Sequence, residues 1–199
     1  MGRSTIDAPR QQGRPRSESA HRAILAAANH LLEQQGFHEL SVEAIAAEAG
    51  VSKATIYRWW PNKAAVVMDA FLAAIGPQLA FPPELPARES VRAQMRTLVD
   101  VFSQGAGQTI AALLGEAQAD PDLAEAFRAR WIANRRTIAR DILARGVIGG
   151  ELRPATDLEV VLDSLYGALY FRLLVGHLPL TKDFVDTLVD HVFAGIGAE

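Results

Sequence analysis

Cysteine is absent from the chain, which removes disulfides, thiolate nucleophiles and cysteine-based zinc sites together. It also suits a reducing compartment, with the cytoplasm as the expected location. Long apolar runs are missing too: no uncharged stretch approaches the ~18 residues that a membrane-crossing helix needs. No basic start leading through an apolar run to a small-residue cleavage site opens the sequence, so neither export nor contact with a membrane is expected. The five histidines, His21, His30, His38, His177 and His191, make no HExxH pair or other close metal-ligand spacing. No GxSxG, glycine-rich phosphate loop or converging carboxylates accompany them, so neither catalysis nor a metal or cofactor is expected. Strand-like alternation does not persist anywhere, which leaves an all-α chain with short connections.

Charge of one sign is scarce overall, at −3, but it is unevenly placed. Residues 1–63 carry eight Lys/Arg against six Asp/Glu, and the remainder carries twelve against seventeen. Among the first sixteen residues Arg3, Arg10, Arg14 and Arg16 face only Asp7. That stretch has no apolar period and is expected as a flexible basic arm (1–16), whose Arg14 and Arg16 suit a DNA minor groove.

Helical spacing then takes over. Ser17 is the expected cap of a first helix ending at Gly36, with Ile24, Ala27, Ala28, Leu31 and Leu32 inward. Ser41 caps a second helix that buries Val42, Ile45, Ala46 and Ala49, and Gly50 leaves room only for a tight turn before Ser52 caps a third helix. Two short helices across such a turn are the helix-turn-helix signature. The third helix runs from Lys53 to about Trp60, where Pro61 stops it. Asn62 caps a fourth, at 63–75, carrying Val66, Val67, Ala70, Phe71 and Ala74 inward. Beyond a Pro-rich connection at 77–86, helices are expected near 88–104, 108–118, 122–146, 157–175 and 182–196.

Turning the third helix by about 100° per residue with Ile56 inward puts Ala54 and Arg58 nearly opposite it, Thr55 and Tyr57 on the flanks and Trp60 back in the core. A helix so decorated fits the major groove of double-stranded DNA. Arg58 is the candidate for a bidentate guanine contact, with phosphate contact or a solvated charge as the alternatives; Thr55 and Ala54 add a polar contact and a methyl for thymine. Ser41, Ser52, Lys53, Tyr57 and Lys63 are candidates for phosphate, and Trp59 for either packing or a phosphate contact through its indole N–H.

From Ala23 to Phe71 the sequence resembles the TetR-like transcriptional regulators. The likeness rests on the first-helix run from Ile24 to Gly36-Phe37, the run Leu40 to Tyr57 with Gly50-Val51-Ser52-Lys53, and Trp60-Pro61-Asn62-Lys63. Trp59 and Trp60 stand where His or Tyr and then Phe are usual, and Ala54 where Gly is common. The resemblance implies a nine-helix, two-domain fold: a helix-turn-helix reader at 17–63 and a helical effector-binding and dimerisation domain at 64–199, with the fourth helix linking them. It also implies a homodimeric repressor released from its operator by a small molecule. One reading module per chain argues independently for a two-fold dimer on a palindromic site.

In the resembled fold the effector cavity lies among the central helices. Candidates for its wall are Met95, Val99, Phe102, Phe127, Trp131, Asn134, Tyr166 and Tyr170, with Phe171, Arg96 and Asp100 nearby, although pockets and solid cores use the same apolar residues. The set suits an apolar or amphipathic effector and has no basic cluster for a phosphate or polycarboxylate. The dimer interface is expected on the last two helices, through Leu162, Leu165, Leu169 and Leu173, and Leu188, Val189, Val192 and Phe193. The alternative function is a DNA-binding regulator or architectural protein with no effector, which predicts a solid C-terminal core.

Overall fold

The structure, a computed structural model, describes residues 14–197, and side-chain surroundings from residue 18 on. Residues 1–13 of the expected arm, and the side chains of Arg14 and Arg16, lie outside the described residues. The chain forms α1 (Arg14–Glu39), α2 (Val42–Glu48), α3 (Lys53–Tyr57), α4 (Lys63–Ile75), α5 (Ala87–Val101), α6 (Gly107–Glu116), α7 (Pro121–Ala126), α8 (Ala133–Ile148), α9 (Leu158–Val175) and α10 (Lys182–Ile196). Among the described residues the single β feature is a bridge between Leu152 and Gly197.

Side-chain caps start most of these helices, because the first N–H groups of a helix have no acceptor within it. Ser41 Oγ accepts from Ala44 N–H at 3.1 Å, Ser52 Oγ from Thr55 N–H at 3.3 Å and Asn62 Oδ1 from Ala65 N–H at 2.9 Å. Asp120, Asp157 and Thr181 do the same for α7, α9 and α10. Ser17 is not a cap: α1 continues past it to Arg14. Pro15 in that first turn does not stop the helix, since its missing N–H would have no helical partner there.

Gly36 breaks α1 at φ 76° and ψ 175°, returning Phe37 to the core. Gly50, at φ 65°, makes the turn of the reader. There Val51 N–H donates to Ala46 O at 2.9 Å and Gly50 N–H to Ala47 O at 3.3 Å, the paired bonds of a left-handed helix ending.

The helix expected over 122–146 is one unbroken run from Pro121 to Ile148, in which a π turn at Phe127–Ile132 joins α7 to α8. Its wider turn shifts the register by about one residue. The separation expected at 105–107 is present as a kink: Gly105, at φ 112° and ψ −28°, is non-helical and divides α5 and its extension from α6.

Ala64, Ala65, Val66, Val67, Met68, Ala70, Phe71 and Ile75 of α4 are all buried, while Ala74, expected inward, is exposed. One side of α4 packs on α1 and another on α7 and the following π turn. On the far side of the molecule α5 clasps α10: Arg88 and Arg92 donate to Asp190 Oδ1 at 2.5 and 2.6 Å, and Arg96 donates to Asp186. Together with Lys182 on Asp100 at 2.6 Å, these pairs turn Arg96 and Asp100 away from the central cavity.

Most of the expected interface residues face inward. Leu162, Leu165 and Leu169 of α9 and Val189 and Phe193 of α10 are buried within their own protomer, and Leu173, Leu188 and Val192 are half-buried. The inner half of the broad apolar face expected to meet a partner forms the protomer's own core. The outer edge consists of Val160, Phe171, Leu174, Val175 and Leu178, each half or more exposed.

Candidate DNA interface and effector cavity

α3 is a short helix held from below. Ile56 and Trp60 are 1% and 2% exposed, whereas Ala54, Tyr57, Arg58 and Trp59 face solvent and Thr55 is half-buried. The face opposite Ile56 therefore offers the methyl of Ala54 and the guanidinium of Arg58 side by side, at a width that enters a major groove. α3 ends at Tyr57, earlier than expected, with Arg58 as its C-cap residue. His21 of α1 stacks on Trp60 at 4.9 Å and meets Trp59 edge-on at 4.8 Å, which holds the second indole at the rim.

The flanking candidates have partners of their own. Ser41 and Ser52 are caps, and Ser52 Oγ lies 3.0 Å from Thr55 Oγ1. Lys53 Nζ donates to Glu43 Oε1 at 2.7 Å, an ion pair that holds the Glu43 carboxyl below its ordinary pKa. A phosphate at Lys53 thus competes with Glu43. Lys63, expected on the DNA backbone, is engaged within the fold. Its ammonium donates to Phe37 O at 2.8 Å and His38 O at 3.4 Å and sits 4.1 Å over the Phe37 ring. There it satisfies carbonyls at the end of α1 and ties α4 to that end.

A cavity of about 280 Å³ opens between α5, α8, α9 and the connection after α4. Phe81, Gln94, Leu98, Trp131, Arg135, Leu162, Tyr166 and Tyr170 are among its lining residues. Of the expected wall, Trp131, Tyr166 and Tyr170 are present. Met95, Val99, Phe102 and Phe127 are buried core outside this lining. Asn134 is exposed, and so is Phe171. Helical spacing accounts for Asn134: Arg135, four residues on, lies about 40° from Trp131 and continues its face, while Asn134 lies about 60° to the other side and meets solvent. Gln94 was not anticipated, although a glutamine in the apolar stripe Val91, Met95 and Leu98 signals a polar group turned to an internal space. Leu162, expected at the interface, lines the cavity.

Polar atoms of the wall form two pairs. Trp131 Nε1 donates to Tyr170 Oη at 2.5 Å, and Tyr166 Oη donates to Gln94 Oε1 at 2.8 Å. Burial pushes both tyrosine pKa values up, so both phenols stay neutral at physiological pH. Below the cavity Asp69 of α4 joins the two halves: Oδ2 accepts from Trp60 Nε1 at 2.7 Å and Oδ1 from Arg130 Nη1 at 2.6 Å. No periodicity argument points to Asp69 or Arg130.

Comparison with known proteins finds relatives over most of the chain. The family model described as "Bacterial regulatory proteins, tetR family" matches residues 24–70, and "Tetracyclin repressor-like, C-terminal domain" matches residues 81–192. The chain is 40% identical over 188 residues to the uncharacterized HTH-type transcriptional regulator YdeS of Bacillus subtilis (strain 168), covering 94% of this chain and 95% of that one. It is 30% identical over 182 residues to the DNA-binding transcriptional repressor TetR of Mycobacteroides abscessus, covering 89% and 93%. The crystal structure of the TetR family transcription regulator SCO0332 superposes with a TM-score of 0.78 at 36% identity, covering 89% of this chain and 98% of that one.

Proposed function

The chain belongs to the TetR family of helix-turn-helix transcriptional regulators, and from that premise we propose that it is a homodimeric repressor which a small apolar or amphipathic molecule releases from a palindromic operator. The observation that carries this reading is the exposed face of α3, where Ala54 and Arg58 project from a helix anchored by Ile56 and Trp60. In this reading Arg58 reads a base, Thr55 and Ala54 read beside it, and Tyr57, Trp59, Lys53 and the capped starts of α2 and α3 position the phosphates. Residues up to 63 form the reader, α4 links it to the rest, and the protein works in the cytoplasm.

Repression is supported by the M. abscessus relative, whose name describes a DNA-binding repressor. Release by an effector is supported by the cavity, which has nearly the volume of the smaller small-molecule sites, ~300 Å³. It favours an effector over the architectural alternative, which calls for a solid core. Dimerisation through the outer edge of α9 and the turn after it is supported by Val160, Phe171, Leu174 and Val175 with Leu178. An apolar strip of that length is otherwise a liability in water.

Two reading helices related by a two-fold engage successive major grooves when they sit about 34 Å apart, so an effector that changes this separation lowers operator affinity. A coupling of about 1–3 kcal/mol changes that affinity roughly five- to 150-fold, and operator DNA weakens effector binding by the same factor. Footprinting on genomic fragments, with the stoichiometry read by sedimentation, tests the proposal. It should find a nearly palindromic site holding two subunits; selection of an asymmetric site held by one subunit overturns it.

A further inference from the structure

Three charged side chains border the cavity, and they differ in kind. Arg136 and Asp163 meet at 2.7 Å, Arg136 also meets Glu159 at 2.6 Å, and both carboxylates are at least half exposed. Arg135 has no such partner. Among the described residues no carboxylate lies within ion-pairing distance of it, and its Nε is buried without a hydrogen bond. The guanidinium carbon lies 4.3 Å from the centre of the Trp131 ring, and the nearby phenols of Tyr166 and Tyr170 are neutral. Removal from water destabilises the cation enough to pull its pKa down. Tyr170 Oη already accepts from Trp131, so its own proton remains to be donated. The wall thus offers a part-buried cation and a phenolic donor, while Tyr166 is already satisfied by Gln94.

We propose that the cavity's ligand is an apolar monoanion of the carboxylate class, its charge paired with Arg135 and its body held among Leu98, Trp131, Leu162 and Tyr166. The inference rests on the effector reading above. A lone guanidinium suits one negative charge, where a phosphate ester or polycarboxylate needs several. The volume of about 280 Å³ equals the share of roughly nine waters at ~30 Å³ each, which suits one or two fused rings or a short acyl chain.

Arg135 also lies close to the end of the linking helix. Its Nη2 lies 4.0 Å from the point a Cβ on Gly76 would occupy, and Gly76 is the C-cap of α4. In the free protein the guanidinium therefore stands at the negative end of the α4 dipole. A ligand carboxylate competes with that helix end for the same cation, which couples cavity occupancy to α4.

Calorimetric titration of the full-length protein with 2-naphthoate, the neutral 2-naphthamide and the cationic 2-naphthylmethylamine tests the charge preference at constant shape. Naphthoate should bind ten- to a hundredfold more tightly than the other two, the margin of a charge-assisted hydrogen bond. Arg135→Gln should bring naphthoate within about twofold of the amide and leave the amide unchanged; Arg135→Met, of similar bulk and without polar atoms, replaces it if the glutamine variant does not fold. Naphthoate should weaken operator binding in the parent protein and not in the variant. Equal affinity for the three compounds, or a preference that survives loss of Arg135, overturns the anion class and leaves the effector reading in place. Failure of all three to bind at millimolar concentration overturns both.

Discussion

Replacing Asp69 by alanine removes a carboxylate that the reader and the C-terminal helices share, and the cost follows from its two partners. Trp60 is 2% exposed, and its indole N–H, now 2.7 Å from Asp69 Oδ2, would be left in the interior with no acceptor. A stranded buried donor costs about 1–3 kcal/mol. The pair with Arg130 is worth less: the two side chains are 31% and 30% exposed, and solvent screening limits such a contact to about 0.5–1 kcal/mol. A loss of about 2–3 kcal/mol lowers the melting temperature of a chain this size by roughly 5–10 °C. Thermal denaturation followed by circular dichroism measures it, and a double-mutant cycle with Trp60→Phe assigns it. In the Trp60→Phe background the indole donor is gone, so Asp69→Ala should cost only about 1 kcal/mol, the share of the ion pair. A melting point within about 1 °C of the parent, or an equal cost in both backgrounds, would refute the bridge.

Arg58→Ala should weaken the cognate operator by about 1–3 kcal/mol and relax preference at one base pair per half-site; uniform weakening of matched and scrambled duplexes would make Arg58 a phosphate contact instead. Lys63→Met should lower the thermal midpoint by a few degrees, about 1 kcal/mol, and leave the salt slope of DNA binding unchanged, because its ammonium serves Phe37 and His38; a slope reduced by about one would return it to the phosphates. Phe171→Glu with Leu174→Arg should give folded monomers by sedimentation, whereas Leu169→Arg or Val189→Asp should unfold the protomer, since both side chains are 0% exposed. A dimer that survives the outer pair would move the interface off this edge of α9.

The reader was legible almost residue by residue, because local chemistry decides it. Ser41, Ser52 and Asn62 cap because their oxygens reach N–H groups three residues on, and Gly50 turns because only glycine takes that φ at no steric cost. The cavity was legible only in part. Trp131, Tyr166 and Tyr170 stood out as large residues with polar tips, but Asn134 and Arg135 both lie within about 60° of Trp131 on the wheel, and only the packing of the helix decides which of them meets the cavity. Part of the face expected at the interface is buried in the protomer for a related reason: periodicity finds an apolar face without saying which part meets the chain's own core. Asp69, Arg130 and the role of Lys63 are contacts between segments far apart in sequence, and only tertiary packing brings them together.

Eight of the thirteen residues of α4 are buried, too many for a helix with one wet side. The consequence concerns where the chain can be cut. A fragment ending at Asn62 strips α1 of its packing partner and Trp60 of its acceptor, so the reader excised alone should not hold its shape. The workable boundary for grafting this reader onto another sensor lies in the connection at 77–86, where most residues are exposed. α4 must then travel with the reader, and the recipient must supply a surface for the side that α7 now covers. The protein divides by task into two parts, and by folding it does not divide there at all.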